Sequence, residues 1–586
     1  KRNELRATKE RLNHELEVSR LVTATVSKLT ALKAQLTGAE ELDAPLIADM
    51  RPQIKTVKGD FASFDASVRR FLIGNVPWGI WLRPLLLWGV VFMLTYIVMM
   101  SFNVLIFRQW AYNERLTYPL AQLPEILTGH TSEDKPEYVF PAVFRSGLFW
   151  VGVAFAGGFM GYNLLAGTGI NPNLQPIDLT NGWGAYIRGT PFEALGTAGR
   201  SAIYFTLIGL TFLIPANISF SLWFFYVLYM LQILILCGLG YGVTLNSFPK
   251  EWYYTFNFAT AEAAGGLLVF SAFVLFKCRH YLLCAFWPQS VRDLEASERK
   301  ELRISSFLFI MGSIGLLLML NHFGGNIFYC IVVYIVVLAI TIALVRAVAE
   351  GGVLSFQAWA GPFHFIRSLA GMNKAWTNPT LFSPLLVYYG MMFLDVKTFI
   401  APSMANALKI RDDVKGSRMR FHIAIWGCII LALLACIIFH LMFSYSIGAD
   451  SMNYWFYTVF PRDLFGRMTS MAKTLPIDES GATAGWVIFG VIFMAALLFF
   501  RQRIFWLPHP IGFFMLISRP MRAFWFSILI AWLAKVLVSK FGNKDTYLVA
   551  RKFFIGLIVG ELFMIALGIV VGYVWDVPVI ITLNRQ

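Results

Sequence analysis

The stretch Leu344-Val-Arg-Ala-Val-Ala-Glu-Gly-Gly-Val-Leu-Ser-Phe-Gln357 closes an apolar run that begins at Ile327. A run of that length lies mostly within a bilayer, which takes about 20 apolar residues to span as a helix. Arg346 and Glu350 follow four residues apart, so on a helix they share one face. Gly351-Gly352 comes directly after, where a helix can end or unwind. Charges beside a broken helix at membrane depth are costly and sit in a protein interior or a water-filled cavity. The rest of the chain is expected to be a scaffold around this feature.

Composition agrees with that class. Of 586 residues 57% are hydrophobic and only 14% charged, against about a quarter in a soluble chain. Mean hydropathy is +0.62. The expected fold is all-α, a polytopic transmembrane bundle of about 11–12 spans with one or two partial, re-entrant segments. The net charge of +15 fits basic cytoplasmic loops better than nucleic acid, which is not an expected partner. The six cysteines form no Cys-x-x-Cys pair, so neither a disulfide framework nor a zinc site is indicated, and no cofactor or metal is expected. The first residue is Lys1 and no signal peptide follows, which leaves room for an upstream part of the gene product with further membrane helices.

Residues 1–75 stand apart. Leu12, Leu16, Val22, Val26, Leu29, Leu32 and Leu36 recur at steps near three and four among charged residues, the pattern of an amphipathic helix. A second helical stretch, interrupted by Pro52, runs toward Phe71. This part is expected to be an extramembrane helical hairpin or coiled coil that packs on itself, on a second copy or on a partner subunit. Residues 76–586 form the transmembrane domain, opening with Trp78 and Trp81 as interfacial anchors. The basic segments 277–303 and Lys409 to Arg420 are placed in the cytoplasm, and the loops 167–199 and 448–483 outside. Ser201 to Ile214 and Phe220 to Val243 read as two runs joined by Pro215-Ala-Asn217, and residues 350–378 as a re-entrant or interfacial segment.

Four acids lie in or at the ends of apolar runs: Glu262, Glu350, Asp395 and Glu561. A carboxylate at the bilayer centre costs about 2.5–3.5 kcal/mol unless it faces a cavity, pairs with a cation or is protonated. Each is therefore a candidate for proton coupling or solute binding. Each also has a plainer reading: mutual neutralisation for Arg346 with Glu350, pairing with Lys397 for Asp395, close helix approach for the small residues around Glu262. His322, His440 and His509 read as packing or turn residues. Enzyme signatures such as His-Glu-x-x-His, Gly-x-Ser-x-Gly and the phosphate loop are missing, so an enzyme or an ATP-driven pump is not expected.

Asn113-Glu-Arg-Leu-Thr-Tyr-Pro119 resembles the Leu-Thr-Tyr/Phe-Pro stretch of the oligopeptide transporter (OPT) superfamily. Trp110 to Pro124, Phe220-Ser-Leu-Trp-Phe-Phe225, Arg346-Ala-Val-Ala-Glu-Gly351 and Trp506-Leu-Pro-His-Pro-Ile-Gly512 are similar to OPT-like prokaryotic membrane proteins in the same order. Pro119 is followed by Leu120-Ala121 rather than the Ser-Gly of better-known members. The resemblance implies a many-helix fold with re-entrant segments in a prokaryotic inner membrane, moving peptides or metal chelates with protons. It adds Glu114 to the candidates, with Glu350 as the coupling carboxylate, Arg346 as its partner or an anchor for a solute carboxylate, and Glu262 as second acid. The rival expectation is a non-transporting scaffold subunit that docks through residues 1–75 and the external loops.

Overall fold

The computed structural model describes residues 76–130, 134, 137–168, 173–240, 258–286, 295–352, 385, 387–388, 400–414, 416–452, 455–459, 461–462, 465–466, 480–504, 506–516 and 519–575. The expected hairpin or coiled coil of residues 1–75, the segment after Gly352, Asp395 with Lys397, and much of the loop 448–483 lie outside the described residues. The long helices are α1 (Trp78–Arg108), α3 (Gly147–Gly167), α5 (Ala216–Gly238), α6 (Phe258–Phe286), α7 (Ala296–His322) and α8 (Ile327–Gly351), then α10 (Arg418–Phe443), α11 (Ser480–Arg501), α13 (Arg519–Phe541) and α14 (Lys544–Trp575). The shorter ones are α2 (Pro119–Thr128), α4 (Phe205–Leu213), α9 (Ile400–Asp413) and α12 (Pro510–Met515). Among the described residues ten helices are long and apolar enough to cross a bilayer. The chain is a helical integral membrane protein.

Two departures from the expected all-α pattern are local. The loop after α3 carries a small antiparallel ribbon, β1 (Thr180–Gly182) on β2 (Arg200–Ala202), with Asn181 opposite Ser201. Three-residue strands in a Gly- and Asn-rich loop leave no alternation to read. The basic segment 277–303, expected as a loop, is partly helical: α6 runs on to Phe286 and α7 already starts at Ala296.

Contacts within the chain define two compact units, one made of Leu87–His422 with Leu464–Gln586, the other of the described residues of Lys1–Leu86 and Ile423–Asp463. In the smaller unit Trp81, expected as an interfacial anchor, donates its indole N–H to the Tyr445 hydroxyl at 2.9 Å. The sequence division at 75/76 falls at the edge of the described residues.

In the larger unit small residues set the closest helix approaches, as expected where lipid supplies no hydrophobic drive between helices. A Cβ at Gly265 of α6 would lie 2.2 Å from the Val487 carbonyl oxygen of α11, and one at Gly490 of α11 2.1 Å from the Glu262 carbonyl oxygen. Gly265-Gly266 therefore does not break α6; it seats α11 against it. This is the close helix approach that the small residues around Glu262 suggest in the sequence.

Helix α4 is nine residues long, about 13 Å at 1.5 Å per residue, roughly half a bilayer. It ends at Ile214-Pro215, where proline cannot donate to the ladder and the chain restarts as α5. Both ends are held by charges from other helices. The Glu561 carboxylate of α14 accepts from the Thr206 N–H at the start of α4. The Lys535 ammonium of α13, buried, donates to the carbonyls of Phe212 at 2.9 Å and Ile214 at 2.6 Å. An acid at the N-terminus and a base at the C-terminus both oppose the helix dipole.

Replacing Lys535 by Met keeps the apolar stem and strips two carbonyls of their donor. Lys535→Met is expected to destabilise the protein by about 1–3 kcal/mol. Thermal unfolding in detergent reads this as a lowered Tm, with Lys540→Met, at an exposed position of the same helix, leaving it unchanged.

Candidate functional site

The site is built where α8 ends. The last carbonyls of a helix have no partner within it. Here the turn between α1 and α2 supplies donors: the Tyr118 N–H reaches the Ala349 carbonyl at 2.9 Å, and the Thr117 hydroxyl the Glu350 carbonyl at 3.1 Å. The turn is bent to do so, with Arg115 at φ 52° and Tyr118 at φ 43°, in the left-handed region that residues other than glycine seldom occupy. Pro119 then starts α2 at the position that needs no N–H. Gly352, at φ 56°, lets α8 end against it: a Cβ there would sit 2.8 Å from the Pro119 Cβ.

The side chains on this frame form a continuous chain of charge. Arg346 Nη1 pairs with Glu114 Oε2 at 2.5 Å, and Arg346 Nε with Glu350 Oε2 at 2.8 Å. Its guanidinium carbon lies 5.4 Å from the centre of the Trp110 ring, within cation–π range. Glu114 also accepts from Gln109 Nε2 at 3.1 Å. The other Glu350 oxygen is 3.0 Å from His509 Nε2.

His509 precedes Pro510, the first residue of α12, and its Nδ1 accepts from the Ile511 N–H at 3.3 Å. In the neutral ring the hydrogen is then on Nε2 and is donated to Glu350. Burial pushes the imidazole pKa below its ordinary value and favours that neutral form, while the Glu350 carboxylate works the other way. The His509 backbone N–H is held by the Ser221 hydroxyl of α5.

These groups line a cavity of about 240 Å³. Lys277 of α6 and Arg501 of α11 line it too, with Phe270 and Phe273 as apolar wall. Three cations (Lys277, Arg346, Arg501) and two carboxylates (Glu114, Glu350) leave it one unit positive with His509 neutral. Just under the roughly 300–1,000 Å³ usual for drug-sized ligands, it suits a small solute. Its charged residues come from the C-terminal half of α6, the C-terminal ends of α8 and α11 and the turn after α1.

Of the expected residues, Arg346, Glu350 and Glu114 come together here. Glu262 does not line the cavity. It sits on α6 fifteen residues before Lys277, about 22 Å along the helix, buried, with Oε2 accepting from Gln232 at 3.3 Å and Oε1 without a partner among the described residues. Glu561 does not line it either; it caps α4. His509, read from the sequence as a turn residue, is both a turn residue and a member of the site. Arg501 and Lys277 went unread because a cation at a helix end is ordinary in a membrane protein.

A second charged cluster also escaped sequence reading. Glu301 of α7 is paired with Arg411 of α9, Arg418 at the start of α10 (2.9 Å) and His422, while Glu298 takes Arg108 at 2.7 Å. The space among them is only about 10 Å³. This cluster ties helix ends together and leaves no room for a ligand.

A helical membrane protein with a charged cavity at the ends of its spans is the class that fold and site define. Within that class the chain belongs to DUF6785, a family of unknown function, whose model matches residues 62–583. No curated protein matches it.

Removing Arg346 would leave two carboxylates facing each other without a cation. Arg346→Met is expected to cost on the order of 3 kcal/mol, the low end for breaking a buried pair because the three side chains keep some exposure. Thermal unfolding in detergent checks this, and Glu114→Gln combined with Glu350→Gln in the Arg346→Met background should recover part of the loss.

Helix α2 also sets a pH response outside the spans. Glu125 of α2 lies by Asp413 at the end of α9, itself paired with Lys409 at 2.6 Å. Burial, and then the Asp413 carboxylate, push the Glu125 carboxyl from 4.5 up to about 7. The folded state thus binds this proton more tightly than the unfolded chain. The contribution to stability is greatest below about pH 4.5, falls as pH rises to about 7 and is flat above. Glu125→Gln should remove that slope from Tm measured between pH 5 and about 7.

Proposed function

We propose that the protein is a secondary-active, proton-coupled transporter of small peptides or related solutes such as metal chelates, of the OPT type, acting in a prokaryotic inner membrane and not as an enzyme. The observation that carries this reading is the cavity at the C-terminal half of α6 and the ends of α8 and α11, where Glu350 is shared between Arg346 and His509. A proton would reach this carboxylate in a state of the protein in which Arg346 or His509 has moved away from it, and its arrival would change the net charge of the cavity. The half-length α4 and the strained turn 114–118 support it further, because broken helices and stored backbone strain accompany alternating access. The resemblance of Glu114 to Pro119 and Arg346 to Gly351 to OPT-type motifs points the same way.

The basic ends of α6, α7 and α10 lie on the side where positive residues collect, so by the positive-inside rule the cavity faces the cytoplasm. A scaffold role is the second reading, favoured by one observation: Arg346 is neutralised by two carboxylates, as a purely structural ion cluster would be.

Uptake of labelled peptides or metal chelates into proteoliposomes under an imposed pH gradient tests the proposal. Glu350→Gln is expected to abolish gradient-driven uptake while leaving exchange of solute between equal pools measurable. Uptake with unchanged pH dependence in Glu350→Gln would remove Glu350 from the coupling role, and no uptake by the parent protein of any solute tried would favour the scaffold.

A further inference from the structure

We infer that the cavity selects a carboxylate-bearing solute and that Arg501, assisted by Lys277, is its anchor. This rests on the transport reading and names the solute class of the same site. Arg346 cannot be the anchor in this state, because Glu114 and Glu350 already occupy its guanidinium. Arg501 lines the same cavity and makes no hydrogen bond or ion pair with another described residue. The Lys277 ammonium lies 4.9 Å from the centre of the Phe273 ring and forms no ion pair among the described residues.

The helix dipole accounts for a cation at the end of α11 but not for a guanidinium on a cavity wall that forms no hydrogen bond or ion pair among the described residues. A guanidinium offers a planar fork that matches the two oxygens of a carboxylate, and the part-buried setting strengthens that bond over one in open water. Glu350, which also lines the cavity beside the neutral His509, repels a second carboxylate and accepts an ammonium. The arrangement therefore fits a small zwitterion or monoanion, its carboxylate at Arg501 and any amine toward Glu350. With about 240 Å³ available, the solute in this state is small, of dipeptide size rather than longer.

The test uses the full chain purified in detergent, with binding measured by titration calorimetry for three probes: dialanine, dialanine amide and succinate. Dialanine is expected to bind, the amide at least about ten-fold more weakly, and succinate more weakly than dialanine. Arg501→Gln should weaken dialanine at least about ten-fold and leave the amide unchanged, and Arg501→Lys should recover part of the difference. An unchanged elution profile and Tm for both variants shows that folding is not the cause. Equal binding of dialanine and its amide, or no effect of Arg501→Gln on dialanine, overturns the anchor, and gradient-driven uptake of the amide would leave the transporter reading standing. Absence of binding by all three probes overturns the anchor as well, and absence of any uptake alongside it sinks the transporter reading too.

Discussion

The Arg346 guanidinium, held between Glu114 and Glu350, is the interaction around which the site is arranged. A lone cation near membrane depth would cost several kcal/mol; two carboxylates and an aromatic face offset that cost. The pairing also fixes position. Glu114 follows α1, Glu350 ends α8, and His509 opens α12, so one cluster joins three elements far apart in sequence. Their backbones are joined in the same place, since the turn 114–118 supplies the donors that the end of α8 lacks. The Leu116-Thr-Tyr-Pro119 motif is thus first a device for finishing α8. The positive φ of Tyr118, and of Arg115 just before the motif, is the cost of reaching those carbonyls.

The same chemistry closes a broken helix elsewhere. Glu561 and Lys535 sit at opposite ends of α4, and each satisfies backbone groups that a full-length span would satisfy internally. Glu301 gathers Arg411, Arg418 and His422 to fasten helix ends. What separates these clusters from the Arg346 site is space. Both are filled by their own partners, whereas the Arg346 cluster borders a cavity also lined by Lys277 and Arg501, which form no ion pair among the described residues. An acid inside a membrane protein is therefore a candidate for chemistry only once its surroundings are known.

The sequence made some of this legible. Long apolar runs marked where the spans lie, because hydropathy over about 20 residues is a strong signal, but not where their polar ends continue as helix. The pairing of Arg346 with Glu350 followed from a four-residue spacing on one helix, and Glu114 from a motif. His509, Arg501 and Lys277 did not follow, since each meets the site through contacts more than 65 residues distant in sequence, which no local pattern encodes. The half-length of α4 was hidden for another reason. Ser201 to Ile214 is mostly apolar throughout, and hydropathy cannot distinguish nine helical residues from an adjoining extended stretch that ends a short ribbon. Glu262 illustrates a further limit. Its glycine neighbours seat α11, the close approach the sequence suggests, yet nothing local told that the acid lies away from the cavity.

Charge bookkeeping in the cavity gives the transport proposal its internal logic. With Glu350 ionised the lining carries one positive unit; a proton on Glu350 raises that to two and loosens one of the bonds to Arg346. A more positive cavity holds a monoanionic solute, one with no ammonium at Glu350, better, and such an anion in turn favours the protonated carboxyl. By linkage the two effects are equal in size, so proton and solute would load together without any direct contact between them. Release reverses both when the proton leaves. The second carboxylate, Glu114, keeps Arg346 compensated throughout, so the guanidinium is never left unpaired while Glu350 changes state. A site with only Arg346 and Glu350 would face that penalty at every cycle. On the proposed reading, the three-membered arrangement is what makes a titrating acid tolerable at the end of α8.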